Sequence, residues 1–246
     1  MSEDNALRFS RQLSLPQIGS AGQARLANST VLIVGLGGLG SAASLYAANS
    51  GIGHLLINDF DRVDVTNLPR QILFSPANVG DFKTTTTARA LKVRNPHIEI
   101  TELNQRLDEN ELVEVIDQCD VILDCTDNFA SRMKINKTCV ATSTPLISGA
   151  AIRFEGQLSV FRADKKNGPC YYCLYTEEDE SLEDCAGQGI LSPVAGTIGC
   201  MIATEAIKVL VGLESDLAGK LWAYDGLTGA TRTVKIKRRP DCPVCG

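Results

Sequence analysis

Two pairs of cysteines carry the sharpest chemical signal in the chain. They stand as Cys170-Tyr171-Tyr172-Cys173 and Cys242-Pro243-Val244-Cys245, knuckle-like pairs whose four thiolates suit a tetrahedral Zn2+ with every position filled by sulfur. A site closed in this way is structural and would staple the C-terminus to the segment around residue 170; a redox dithiol is the competing reading. The second signal is Gly35-Leu36-Gly37-Gly38-Leu39-Gly40. Between a strand and a helix, such a run turns sharply and aims backbone N–H groups outward at a helix N-terminus, which binds phosphate. The plain alternative is a tight turn with no ligand. Asp59 ends the next strand, about 20 residues on, where a carboxylate can accept from ribose hydroxyls.

The loop beyond Asp59 reads Asp64-Val65-Thr66-Asn67-Leu68-Pro69-Arg70-Gln71, and Lys83 follows. Two cations and two amides beside a phosphate-binding turn suit a triphosphate better than a dinucleotide, because negative charge grows on phosphate oxygens as pyrophosphate departs. Taken singly, Arg70 and Lys83 read as ordinary solvated cations. Asp127, just past the strand ending in Leu123-Asp124-Cys125, can hold Mg2+ or cap the following helix, and the two roles are compatible. Asp124 reads as structural. An NAD-dependent oxidoreductase rests only on the glycine turn and Asp59: no Tyr-x-x-x-Lys occurs, and neither His54 nor His97 sits in a suggestive loop.

These residues need a scaffold, and the hydrophobic pattern supplies one. Residues 30–35, 54–59, 98–103, 121–125 and 145–148 are β-branched and apolar with helical patterns between them, so they read as parallel strands covered on both faces. That order gives a Rossmann-like, doubly wound α/β sheet. In the first crossover helix Leu39, Ala42, Ala43, Tyr46 and Ala47 share one face, and Gly51 stands where a left-handed cap would end it. Residues 157–161, 221–224 and 231–237 follow loops and read as antiparallel strands extending the sheet, with a further helix over 199–211. Residues 175–189 are acidic and without apolar period, and read as a long crossover loop whose order depends on a ligand or partner.

The array Arg8-Phe9-Ser10-Arg11-Gln12, Gly35 to Gly40, Asp59-Phe60-Asp61, Asn67 to Gln71, Lys83, Asp124 to Asn128, Ser148-Gly149-Ala150-Ala151 and the two Cys-x-x-Cys pairs resembles the MoeB/ThiF family of bacterial adenylyltransferases, relatives of the ubiquitin-activating enzymes. The resemblance covers essentially the whole chain in order. It implies one adenylation domain over 1–246: a helical N-terminal segment (1–29), a nucleotide-binding half (30–150) and a carrier-binding half with the zinc site (151–246). It implies that the C-terminal glycine carboxylate of a ubiquitin-like sulfur-carrier protein attacks the α-phosphorus of Mg-ATP. The carrier of molybdopterin synthase is the first expectation and the thiamine sulfur carrier the second. By position Asp59 would hold the ribose; Gly35, Gly37, Gly38 and Gly40 would admit the phosphates; and Asn67, Arg70, Gln71, Lys83 and Asn128 would contact nucleotide. Asp127 would position Mg2+. Arg11 corresponds to the family arginine that reaches a neighbouring subunit's ATP, which implies a homodimer. No nucleophile is required, because the attacking group is already a carboxylate and alignment with charge neutralisation suffices. Pro69 and Phe82 depart from the family pattern, where Gln and Pro are usual.

Cys185 occupies the place of a family cysteine implicated in a covalent link to the carrier, but its neighbours Glu183 and Asp184 should raise the thiol pKa and make it a poor nucleophile. Cys119, Cys125, Cys139 and Cys200 read as small core residues. The cationic run from Lys235 to Arg239 reads as a solvated strand edge, with an acidic carrier face as the functional alternative. The 246 residues are 44% hydrophobic and 22% charged with a net charge of -5, which excludes disorder and argues against a nucleic-acid-binding surface. The apolar stretch 31–39 is too short and Gly-rich to span a bilayer, and residues 1–10 lack the order of a signal peptide. The expectation is a cytoplasmic protein with reduced thiols.

Overall fold

A computed structural model of the chain describes residues 3–176 and 189–246. Five strands run parallel: β1 (Thr30–Val34), β2 (His54–Asn58), β3 (Glu99–Leu103), β4 (Val121–Asp124) and β5 (Leu146–Ile152). Then β6 (Glu155–Phe161), β7 (Lys220–Asp225) and β8 (Thr231–Lys235) continue the same sheet antiparallel. The order is β3-β2-β1-β4-β5-β6-β7-β8. The helices are α1 (Glu3–Arg8), α2 (Ser10–Leu13), α3 (Gly19–Ala27), α4 (Gly38–Asn49), α5 (Lys83–Arg94), α6 (Glu109–Asp117), α7 (Phe129–Thr142), α8 (Tyr171–Leu174) and α9 (Ser192–Val211).

Successive side chains of a strand point to opposite faces, and here both faces are covered. Val31, Ile33, Leu55, Ile57 and Leu123 pack with Ala43, Ala47, Ile198 and Ile202 on one side. Leu32, Leu56, Ile122 and Leu146 pack with Leu112, Ile116, Ile135 and Cys139 on the other. The doubly wound reading of the sequence is therefore correct, with one exception: β3 is the sheet edge and none of its residues is buried. Tyr46 also turns outward, half-exposed on α4, while Ala42, Ala43 and Ala47 are buried, the last two in the core on this face of the sheet. Gly51 has φ +87° just past the end of α4, as its position predicts.

α9 begins at Ser192, seven residues before the sequence suggests, with Pro193 in its first turn where the missing N–H is harmless. By length and composition it could cross a bilayer. It lies instead on the sheet and α4, with Val194, Ala195, Ile198, Ile202 and Ala206 buried. The N-terminal helices dock on the end of α4: Phe9 is buried, and Gln12 and Gln23 both donate to the Ser50 carbonyl, at 2.9 and 3.0 Å.

Candidate active site

The sheet order reverses between β1 and β4, and the loops leaving their carboxyl ends form the crevice where open α/β sheets bind ligands. After β1 the chain makes its glycine turn. Gly35 has φ +88°, and a side chain on Gly40 would stand 1.9 Å from the Gly35 carbonyl oxygen. Only a bare backbone permits that approach. Gly37 precedes α4 with no side-chain cap on its first amides, so those donors and the positive end of the helix face the crevice.

Asp59 closes the turn from below. One carboxylate oxygen accepts the Leu36 N–H at 2.8 Å and the other the Asp61 N–H at 2.9 Å. An ionised carboxylate retains lone pairs beyond those two for a ribose diol. Burial pushes the Asp59 carboxyl above the ordinary aspartate range, while the Lys83 charge and the two amides oppose the rise. Lys83 opens α5, and its Nζ donates to Asp61 at 2.9 Å and stands 3.9 Å from Asp59. Phe82, the departure before it, lies under Arg62 at 3.9 Å.

The Asp64 to Gln71 loop is a stapled turn. Asp64 accepts from the Thr66 amide and hydroxyl, the Asn67 side chain accepts the Asp64 N–H, and Arg70 donates to the Thr66 carbonyl. Gln71 is buried, and its Oε1 has no hydrogen-bond partner; an orphaned acceptor in the wall of a cavity fits a polar ligand. On the facing loop Asn128, not Asp127, caps α7, accepting the Ser131 N–H at 2.9 Å. Asp127 is exposed and needed for no cap. Asp124 is fully buried and takes hydrogen bonds from Ser148 and Thr126, so it is structural as expected.

Together these loops enclose about 410 Å³. Gly35, Gly37, Gly38, Asp59, Asn67 and Arg70 line the cavity, as do Gln71, Lys83, Asp127 and Asn128. Gly40 sits beneath the turn rather than in the wall, and Arg11 is exposed on α2 outside this chain's cavity. Phe60 also lines the cavity, as do Arg106 and Lys134, two cations that the sequence reading did not single out. Arg106 stacks over Phe60 at 4.0 Å. The Asp-Phe-Asp run pointed at Phe60, but no local pattern marks Arg106 or Lys134.

At the far side of α7 the two Cys-x-x-Cys pairs meet. The Cys170 and Cys242 sulfurs are 3.7 Å apart, those of Cys173 and Cys245 are 3.5 Å apart, and all four lie within 4.8 Å of one another. A tetrahedron of Zn–S bonds of about 2.3 Å requires sulfurs about 3.8 Å apart, so the set fits a four-coordinate metal. Burial pushes the Cys242 thiol up, yet amides of Cys245 and Val244 bring it down to about 7. Cys119, Cys125 and Cys139 are buried as expected; Cys200 is half-buried on α9 rather than in the core. Cys185 lies outside the described residues.

A model of the ThiF family matches residues 9–244. The chain belongs to the ThiF family. It is 46% identical over 246 residues to the molybdopterin-synthase adenylyltransferase of Escherichia coli, covering all of this chain and 98% of that protein. It is 43% identical to the sulfur carrier protein ThiS adenylyltransferase of E. coli, covering all of this chain and 97% of that one. A crystal structure of E. coli MccB with ATP superposes with a TM-score of 0.85 at 26% identity, covering 97% of this chain and 73% of MccB. The ThiF-family assignment bears out the resemblance carried by the glycine turn, the acidic run and the cysteine pairs.

Proposed function

We propose that this ThiF-family chain is an adenylyltransferase that activates the C-terminal glycine of a ubiquitin-like sulfur-carrier protein. A carboxylate oxygen of the carrier attacks the α-phosphorus of ATP, the bond to the β-phosphate oxygen breaks, and pyrophosphate leaves as the acyl adenylate forms. The observation that carries this reading is one cavity in which the open N-terminus of α4, Asp59, Arg70, Gln71, Lys83 and Asp127 converge. The names of its relatives agree with it.

In this reading Asp59 accepts from the ribose hydroxyls. The Gly37 and Gly38 backbone admits the phosphates at the positive helix end, with Asn67, Gln71 and Asn128 as polar contacts. Arg70 and Lys83 take up the charge that grows on the departing pyrophosphate, a preorganised electrostatic role. Asp127, free of capping duty, would hold a Mg2+, which supplies further neutralisation of phosphate oxygens. Cys170, Cys173, Cys242 and Cys245 would hold a Zn2+, which with no open coordination position supplies a structural cross-link. Arg11 projects from a helix anchored by its neighbours Phe9 and Gln12, a fixed mount from which it would reach a second subunit's ATP in a homodimer. The continuous sheet supports a single adenylation domain over 1–246, and the free state of the eight described cysteines suits a cytoplasmic setting.

The molybdopterin-synthase carrier is the first substrate, and the thiamine carrier, supported by the second relative, is the alternative. Among the described residues no Tyr or His lines the cavity, so none of them offers nicotinamide chemistry a Tyr or His proton relay. ATP–pyrophosphate exchange with each purified carrier tests the reading. Exchange stimulated by one carrier supports it; exchange with neither, in zinc-loaded protein, overturns it.

A further inference from the structure

Asn136, on α7, is 1% exposed. Its Oδ1 accepts the Tyr171 N–H at 2.8 Å, which fixes the side chain against the residue that follows Cys170. Its Nδ2 finds no hydrogen-bond partner of ordinary geometry. A buried donor left unmet costs about 1–3 kcal/mol, so native proteins seldom leave one. The acceptor beside it is sulfur: Asn136 and Cys170 line the same small cavity of about 140 Å³, and the Asn136 Oδ1 already holds the amide of Tyr171, the residue bonded to Cys170. A neutral thiol is a weak acceptor. A metal-bound thiolate carries charge and accepts far better.

We propose that Asn136 is a positioning residue of the metal centre, donating from Nδ2 to the metal-bound sulfur of Cys170 while its Oδ1 holds the Tyr171 amide. One side chain then orients the Cys170 knuckle from both ends, in the manner of the outer hydrogen bonds that tune metal ligands elsewhere. The inference rests on the four-cysteine metal reading given above. It also has a structural consequence. Ile135, the preceding residue of α7, lines the nucleotide cavity, so Asn136 seats the metal knuckle against the wall of the nucleotide site.

Cobalt(II) in the full chain tests it, because thiolate-to-cobalt charge-transfer absorption reports hydrogen bonds to the sulfur. Asn136→Asp keeps the acceptor for Tyr171 and removes the donor; Asn136→Leu removes both. Both variants are expected to bind cobalt about 10–100-fold more weakly in chelator competition, with charge-transfer bands at longer wavelength. Affinities within twofold of the parent chain and unshifted bands overturn the proposal. Should the variants fail to fold, the unaltered chain loaded with 113Cd is expected to show scalar coupling between cadmium and an Asn136 Nδ2 proton. The Arg239 N–H, which lies 3.5 Å from the Cys173 sulfur, is the internal control. Coupling to Arg239 without coupling to Asn136 overturns the proposal. A parent chain that takes up no cobalt at all overturns the metal reading itself, a result distinguishable from loss of the Asn136 effect.

Discussion

Lys83 donates from Nζ to Asp61 at 2.9 Å, joining the first turn of α5 to the loop after β2. The lysine side chain is 8% exposed and the Asp61 side chain 54%, so the acid is solvated where the cation is not. A buried cation aimed at a phosphate site has its effect in the transition state, whereas an exposed partner is screened by water. Lys83→Ala is therefore expected to lower kcat/KM for ATP–pyrophosphate exchange by about 10²–10³-fold, and Asp61→Asn by less than about 10-fold. Equal losses in the two variants would mean that Lys83 matters as Asp61's partner rather than as a phosphate ligand.

The glycine turn separates folding from binding. A methyl group on Gly40 would meet the Gly35 carbonyl oxygen at 1.9 Å, while one on Gly37 would meet nothing closer than 3.9 Å. Gly37 has φ -70° and ψ -152°, a negative-φ backbone at the margin of the extended region that costs alanine far less than a left-handed one would. Gly37→Ala is expected to keep the melting temperature within a few degrees yet weaken ATP binding, because the added methyl stands at the mouth of the α4 N-terminus. Gly40→Ala is expected to lose the folded state outright. Calorimetric melting and nucleotide titration of both variants check the contrast; normal ATP affinity in Gly37→Ala would move the phosphates elsewhere.

Much of this site was legible because its signals are local. A glycine turn, an acid at the next strand end and a Cys-x-x-Cys pair each declare their chemistry within a few residues. What stayed hidden depends on tertiary contacts. The first two turns of α9 contain Thr197 and the glycines 196 and 199, poor helix formers by propensity. They are helical because α9 packs on α4 so closely that a methyl on Gly199 would stand 2.4 Å from the Leu39 carbonyl oxygen. Arg106 comes from a loop far along the chain and reaches the cavity only by stacking on Phe60. Asp127 and Asn128 could each have capped α7 by residue type, and backbone geometry alone decides for Asn128.

Metal removal should separate the C-terminus from the body of the fold. Residues 236–246 add no regular element after β8; the cysteine pairs tie them to the Cys170 segment, with Arg239 adding contacts to the Cys173 sulfur and the Tyr172 ring. A metal at 1,000 times its Kd contributes about 4 kcal/mol, which for a domain of this size corresponds to roughly 10 °C in Tm. Chelation is expected to lower Tm by about that amount, and Zn2+ alone, not Mg2+, to restore it. An unchanged Tm in protein shown to be metal-free would make the four cysteines dispensable for stability.

Asp59 sets a pH dependence whose sign follows from its burial. Its folded pKa lies above the ordinary 3.8, so the native protein holds this proton more tightly than the unfolded chain does. Stability contributed by the protonated form is present below the ordinary value and declines as pH rises toward the raised one. Nucleotide binding runs the other way, because only the ionised carboxylate can accept from both ribose hydroxyls. ATP affinity is expected to fall as pH drops through the raised value, at a higher pH than a solvated aspartate would give, with a proton released on binding in that window. Calorimetric titration in buffers of different ionisation enthalpy measures that release directly. Asp59→Asn should bind ATP about 10–100-fold more weakly, the loss of one charge-assisted hydrogen bond or two, and should show no proton release. A variant that released the same proton would assign the titration to another group and remove Asp59 from the ribose.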